Sequence, residues 1–287
     1  MKYGIVYAYW SKDWEGEYID TIIRCKRCGF DVLEIFTPLL LTLPDNKLRE
    51  IKAAAADNGI ELAFLVGLSP EYDLSSGDAS VRERGISYVS DMLRVIHSLG
   101  GHCFSGINYT AWSSFDGFDE KPRRREYSIG SIKALAKVAE GYDISYNLEI
   151  TNRFEQYLLN TAAEAVDFVN EVNSPNVNIL LDAFHMNIEE DSMYDAICLA
   201  GDKLGHFHVG TNNRRPPREG LMNWGQIRDG LKKIGYDKII TLEPLVRTGG
   251  TVAADSKVWR DMTDNADGAE MDRAAEAGLA FMKGLMG

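Results

Sequence analysis

Four side chains of the kind that bind metal ions stand at the ends of four consecutive apolar runs. They are Glu149 in NLEI, Asp182 in ILLD, His208 in HFHV and Glu243 in TLEP. Any one of them could simply end a strand, since Asp is common in turns, but four in succession favour a shared function. Closely packed carboxylates repel one another, and a divalent cation held between them removes that conflict. The set is rich in oxygen and lacks thiolate, which favours Mn²⁺ or Mg²⁺ and tolerates Co²⁺.

Eight strand-like runs, with helical segments between them, position these side chains. The predicted strands are residues 3–9, 31–36, 61–67, 102–108, 145–150, 177–182, 204–210 and 238–245. The clearest predicted helices are residues 46–58, 79–99, 131–140 and 161–172. Eight β-then-α units in 287 residues are typical of a single α/β domain over residues 1–287, a (β/α)8 barrel whose active site lies at the carboxyl ends of its strands. A doubly wound open sheet is the alternative, but no GxGxxG or phosphate-binding loop follows the first strand.

Charge and loop composition limit the classes of partner. The chain has 31 basic and 43 acidic residues, a formal charge of −12, and only two short basic runs, 121–125 and Arg214 with Arg215. We interpret both runs as solvated loop faces, so a nucleic-acid partner is not expected. Three connections after strands look long, 109–127, 211–224 and 246–267, and long connections in compact domains are often lids over an active site.

Cysteine usage and hydropathy bear on the compartment. No run of 18 or more apolar residues and no signal-peptide pattern is present, which argues against a membrane partner. The four cysteines are too few and too scattered for a disulfide framework, which fits a reducing cytoplasm. Cys25 and Cys28 form a CxxC, but the pair lies in a helical stretch with no second pair to complete a zinc site, so we interpret it as structural.

Several long stretches resemble one enzyme family. The stretches NRFEQYLLNTAAEAVDFV, LDAFHMNIEEDS, LGHFHVGTNNRR, LEPLVRTGGTV and KVWRDM are similar to the ketose 3-epimerases, which include D-tagatose 3-epimerase and D-psicose (allulose) 3-epimerase. The N-terminal MKYGIVYAYW is similar too, so the resemblance covers essentially the whole chain. It implies a single TIM barrel of the xylose-isomerase-like type, a homodimer or homotetramer, and an Mn²⁺ or Co²⁺ ion.

The resemblance also assigns residues. Its metal ligands fall on the same four strand-end side chains chosen above. Its substrate-binding residues fall on Glu155 in NRFE, His185 in AFHM and Arg214 in NNRR, and its pocket aromatics fall on Trp112 and Trp14. His206 is expected to be a hydrogen-bonded barrel residue. The acidic residues 189–191 are expected to lie in a solvated loop or helix start.

The implied reaction is inversion at C3 of a free ketose, of the D-tagatose/D-sorbose and D-fructose/D-psicose class. A proton must leave C3 and return on the other face through a cis-enediolate, and our hypothesis makes Glu149 and Glu243 the two acid/base groups. A divalent ion on the C2 and C3 oxygens would act as Lewis acid. The alternative is another sugar isomerase, or an inosose dehydratase-like enzyme, of the same barrel group.

The resemblance weakens at the far end of the sugar site. Psicose-type members usually have Tyr at the position of Val6, a small Ala near Ile107, and Phe at the position of Leu245. Such changes alter pocket shape and hydrogen bonding but leave the metal and acid/base groups in place. The preferred ketose is therefore left open.

Overall fold

The computed structural model describes residues 1–287, and its eight strands form one closed parallel barrel. Each strand pairs with the next, and β8 closes the barrel on β1, for example through Gly4 and Thr241. The strands are β1 Lys2–Val6, β2 Val32–Phe36, β3 Glu61–Leu68, β4 Cys103–Ala111, β5 Ser145–Ile150, β6 Val177–Asp182, β7 Leu204–Val209 and β8 Ile239–Leu242. The predicted barrel class is confirmed, and the open sheet is excluded.

Eleven α-helices surround the barrel. They are α1 Tyr18–Arg27, α2 Thr37–Leu40, α3 Asp45–Asn58, α4 Ala79–Leu99, α5 Lys121–Gly141, α6 Ala162–Val172, α7 Ala183–Glu189, α8 Met193–Ala200, α9 Trp224–Lys233, α10 Gly250–Ser256 and α11 Gly268–Met286. Sequence predicted α4 over its full length. Asp78 caps its first turn, and Gly100, at φ 82°, takes the left-handed conformation that ends it.

The first and last strands are shorter than predicted. β1 ends at Val6, and residues 7–9 form a short 3-10 helix. The ladder gives the reason, since β1 pairs with β8 only as far as Leu242 and with β2 only as far as Glu34. β8 stops before Pro244, which has no N–H to continue a ladder.

Helix α5 begins ten residues earlier than predicted, and the basic run 121–125 lies within it instead of in a loop. Pro122 is compatible with the first turn of a helix, where its missing N–H costs nothing. The charges are paired: Lys121 Nζ lies 2.7 Å from Glu164, and Arg125 Nη1 lies 2.7 Å from Glu171. The interpretation of this run as a solvated loop face was wrong, because the run lies in α5 and three of its four charges pair with acids.

Two of the three long connections are shorter than they looked. β4 continues to Ala111, which pairs with Leu68 after a register shift, so residues 109–127 hold a strand end, a 3-10 turn and the start of α5. Gly106 makes this path possible, because its φ is 111° and a Cβ there would meet Val66 O at 2.1 Å. Helix α10 lies inside 246–267, whereas 211–223 has no regular structure.

Two further features agree with the sequence. None of the helices combines the length and apolar composition that a bilayer crossing would need. All four cysteines are free, and Cys25 and Cys28 are buried at the carboxyl end of α1, where burial raises the pKa of Cys28 to about 12.

Candidate active site

The four predicted metal ligands converge at the carboxyl end of the barrel. Glu149 lies on β5, Asp182 ends β6, His208 lies on β7 and Glu243 follows β8. All four are buried or nearly so, and one possible ligand atom from each lies within 4.8 Å of those of the others. Parallel strands bring these residues together because their carboxyl ends share one edge of the barrel.

Asp182 has both of the roles that the sequence left in competition. Its Oδ1 accepts the backbone N–H of Phe184 at 2.9 Å and so caps helix α7. Its Oδ2 points the other way, into the cluster, and accepts a hydrogen bond from Arg214 at 3.0 Å. The residue is thus a helix cap with one oxygen and a site residue with the other.

Arg214 is a site residue although it lies in a basic loop. Its Nη1 donates to Asp182 at 3.0 Å and to Glu243 at 2.8 Å, and its guanidinium carbon lies 4.3 Å from the centre of the Phe184 ring. Its backbone is left-handed, with φ 63°, a conformation uncommon outside glycine. Composition alone suggested a solvated loop residue and the family resemblance a pocket residue; the side chain lies in the pocket, because the carboxylates draw it inward.

The two proposed acid/base carboxylates have different electrostatic surroundings. Burial, followed by the charge of Glu243, raises the pKa of Glu149. Burial would also raise the pKa of Glu243, but Arg214 and His208 overcome it and hold that pKa well below its usual range. Neighbouring charges therefore distinguish two chemically identical groups.

His208 has one satisfied and one unsatisfied ring nitrogen. Its Nε2 donates to Glu34 Oε2 at 3.0 Å, while its buried Nδ1 has no hydrogen-bond partner and lies 3.4 Å from Glu243 Oε2. An unpartnered imidazole nitrogen among three carboxylates is the donor set that a divalent cation requires. The residues therefore fit a bound metal ion, as their spacing in the sequence predicted.

His185 presents the opposite nitrogen to the cluster. The backbone N–H of Asn152 donates to its Nδ1 at 3.2 Å, so the neutral ring carries its proton on Nε2. That Nε2 is buried without a hydrogen-bond partner and lies 3.5 Å from Glu149 and 3.6 Å from Asp182. His185 can thus offer an N–H to a ligand oxygen.

The remaining predicted residues form one side of the pocket above the cluster. Trp112 Nε1 donates to Glu155 Oε2 at 3.3 Å, and the Trp14 and Trp112 rings meet edge to face at 6.3 Å. The Trp14 ring also stacks on Phe36 at 4.9 Å. All nine predicted site residues therefore lie in or next to one pocket.

An apolar wall completes the pocket. Its residues come mainly from strands β2–β4: Phe36, Leu65, Val66, Ile107 and, after β8, Leu245. Of the three positions where the family resemblance weakens, Ile107 and Leu245 line the pocket. Val6 does not; it is buried on β1, beside Glu34 of β2.

Two buried residues behind the histidines were missed from the sequence. Glu34 is fully buried in the barrel and contacts His208, and Asn152 contacts His185. A signal for Glu34 existed, since VLEIF places one charge inside an otherwise apolar strand. The sequence around Asn152 gave no comparable signal.

The acidic residues after His185 are not the solvated segment that was expected. Glu189 ends α7, and its side chain is only 4% exposed because it forms a bidentate pair with Arg153. Glu190 accepts the backbone N–H of Ala162 at 2.7 Å and so supports the start of α6. His206 is a hydrogen-bonded barrel residue, as predicted.

The fold and the acidic cluster define a barrel enzyme, and comparisons with known proteins agree. The family model described as "Xylose isomerase-like TIM barrel" matches residues 22–283. D-psicose 3-epimerase of Ruminiclostridium cellulolyticum is 43% identical over 99% of this chain and 97% of its own length. D-psicose 3-epimerase of Agrobacterium fabrum is 40% identical over the full length of both chains.

A solved structure gives the same answer. The crystal structure of D-psicose 3-epimerase with D-tagatose from Clostridium cellulolyticum H10 superimposes with a TM-score of 0.97 at 43% identity, over 100% of this chain and 99% of the other. The chain belongs to the ketose 3-epimerase family of the xylose isomerase-like TIM barrels. It is an epimerase, an enzyme of the isomerase class.

Proposed function

We propose that this enzyme inverts C3 of free ketoses of the D-fructose/D-psicose and D-tagatose/D-sorbose class, with Glu149 and Glu243 as the acid/base pair. The observation that carries the proposal is the position of these two carboxylates. They come from strands three apart in the barrel, yet both reach one cluster whose ligand atoms lie within 4.8 Å. The names of the relatives, D-psicose 3-epimerases, support the substrate class.

The proposed metal site consists of Glu149, Asp182, His208 and Glu243. Mn²⁺ fits the oxygen-rich set best, and Co²⁺ or Mg²⁺ is also compatible with it. When bound, such an ion supplies Lewis acidity and a template for two sugar oxygens. The unpartnered Nδ1 of His208 supports this assignment, because a buried polar atom without a partner is costly.

The protein's own groups move the proton. One glutamate oxygen takes the C3 proton from one face of the sugar, and the other glutamate returns a proton to the opposite face. The loss of the proton from C3 moves negative charge onto the oxygen at C2. The Nε2–H of His185 and the guanidinium of Arg214 are placed to donate hydrogen bonds to sugar oxygens near that charge.

Glu155, Trp112 and Trp14 are proposed to hold and cover the sugar. Glu155 accepts from Trp112 and lies 3.9 Å from Arg214, so it can orient both groups. Each of the two indole rings has a flat apolar face of the kind that packs against the C–H face of a sugar. Together they would exclude water from the reacting carbon.

Product analysis tests the proposal. With D-fructose and Mn²⁺, we expect D-psicose as product, and in D₂O we expect deuterium at C3. Glucose or mannose would instead indicate an aldose–ketose isomerase, and loss of water would indicate a dehydratase. Either result would contradict the proposal.

Assembly and compartment remain proposals as well. A homodimer or homotetramer is supported by large apolar side chains exposed in the loops after four strands: Phe118 at 96%, Phe154 at 74%, Leu221 at 83% and Trp259 at 74%. Light scattering on the purified enzyme tests it, and a monomer would contradict it. The four free thiols support a reducing cytoplasm.

A further inference from the structure

Glu34 is a carboxylate inside the barrel whose presence the reaction does not explain. It lies on β2, its side chain has no exposed surface, and it does not line the sugar pocket. Burying a carboxylate costs several kcal/mol unless a donor compensates it. A close donor must therefore account for Glu34.

His208 is that donor. Its Nε2 lies 3.0 Å from Glu34 Oε2, whereas Nε2 of His206 is 3.8 Å away. His206 is already satisfied, since its Nδ1 contacts Ser105 Oγ at 2.8 Å and its Nε2 contacts Thr241 Oγ1 at 2.8 Å. Glu34 Oε1 has no partner at all. The one strong contact of this carboxylate is thus with His208.

The contact fixes which nitrogen of His208 faces the site. An imidazole that donates from Nε2 keeps its free electron pair on Nδ1. Nδ1 is the atom that lies without a partner beside Glu243. Histidines that ligate metals commonly donate their other N–H to a carboxylate, which sets both tautomer and ring angle.

We propose that Glu34 is a positioning residue for His208: by accepting the N–H at Nε2, it turns Nδ1 toward the other three ligands. The inference rests on the proposed function, in which His208 binds the metal. Glu34 would touch neither the ion nor the sugar.

A second ion site is the competing explanation. One atom each of Glu34, His206 and His208 also lies within 4.8 Å of the others. The hydrogen bonds of His206 to Ser105 and Thr241 oppose it, because they occupy both ring nitrogens. We therefore expect one Mn²⁺ per chain.

Calorimetric titration of the metal-stripped enzyme with Mn²⁺ tests the proposal. E34L, which removes the acceptor, should weaken binding about 10–100-fold, and E34Q, which keeps shape and an acceptor oxygen, should lose less. The control is S105A, which removes a neighbouring buried hydrogen bond without touching His208; it should change the Kd by less than about threefold. Wild-type affinity in both Glu34 variants, equal weakening by S105A, or two ions per chain would overturn the proposal.

A second readout needs no variant of Glu34. In ¹⁵N-histidine spectra of the metal-stripped wild type, the His208 signal, assigned by its loss in H208Q, should show a proton on Nε2. A ring whose only proton lies on Nδ1 would overturn this proposal while leaving the proposed metal site intact. Failure of the wild type to bind Mn²⁺ would overturn the proposed function and this inference together.

Discussion

The two halves of the barrel end in opposite chemistries around one mouth. Strands β5–β8 and the loops after them bring the charged groups that line the pocket, Glu149, Glu155, Arg214 and Glu243. Strands β1–β4 and their loops bring only apolar or aromatic side chains and a glycine. The same βα unit is used throughout, so the difference lies in a few strand-end residues. The charged half would perform the reaction, and the apolar half would set the shape of the pocket and so select the substrate.

Glu34 is the exception that joins the halves. It belongs to β2, in the apolar half, but reaches across the barrel interior to His208 on β7. If Glu34 positions His208 as we propose, the apolar half would support the reaction from below the pocket as well as from its wall.

Removing the acid/base groups should give the largest effect. Glu149→Gln and Glu243→Gln each keep shape but cannot accept the C3 proton, so we expect kcat to fall about 10²–10⁴-fold. Initial-rate assays of product formation at saturating D-fructose measure the change in kcat. Glu61→Gln is the matched control, because this carboxylate lies at the far, amino end of β3. Near-normal turnover in either site variant would remove that residue from the mechanism.

Metal removal should give the next largest effect. Chelation should abolish activity, and Mn²⁺ at about 100 times its Kd should stabilise the fold by about 2.7 kcal/mol. Asp182→Asn keeps a capping oxygen for α7 but loses the ligand charge, so thermal unfolding of this variant should respond little to Mn²⁺. Activity that survives thorough chelation would contradict the metal site.

Substitution of Arg214 should have a smaller effect, mainly on substrate binding. Arg214→Lys keeps the charge but loses the planar fork that contacts Asp182 and Glu243, so we expect KM to rise about 10–100-fold. Arg215→Lys is the control, since Arg215 pairs with the exposed Asp264. Equal changes in KM for the two variants would refute a special role for Arg214.

A substitution in the apolar half should have the smallest effect, on the choice between substrates. Ile107→Ala shortens a side chain of the wall and so enlarges the pocket. Because a larger pocket favours the larger sugar, the ratio of kcat/KM for D-fructose to kcat/KM for a ketopentose should rise about 10-fold. The variant should also lose about 2–4 kcal/mol of folding stability, because Ile107 is buried. An unchanged ratio would show that this half does not select the substrate.

The sequence was informative where chemistry and periodicity coincided. The barrel and the four strand-end side chains of the proposed metal site followed from apolar runs that stop at Glu, Asp or His. The strand ends near Val6 and Leu242 did not follow, because ladder partners, not composition, decide where β1 stops. The basic run 121–125 was misread because its ion partners, such as Glu164, lie far along the chain.

Contacts between distant residues explain what was missed at the site. Glu34 and His208 are 174 positions apart, and only barrel closure brings them together. Arg214 was not missed, but composition alone would have made it an ordinary loop arginine, and only the family resemblance pointed to the site. Asn152 contacts His185 Nδ1 through its side-chain Nδ2 at 2.7 Å and its backbone N–H at 3.2 Å, and only the fold brings these two residues together.

The two oxygens of Asp182 link function to local architecture. Helix α7, which carries His185, begins at the same carboxylate that faces the ion site. A replacement that lacks a capping oxygen, such as Asp182→Ala, would therefore also release the first turn of that helix and displace His185, the proposed sugar-binding side chain. Directed evolution toward a different metal should accordingly keep Asp or Asn at this position and accumulate its changes at the other three proposed ligands.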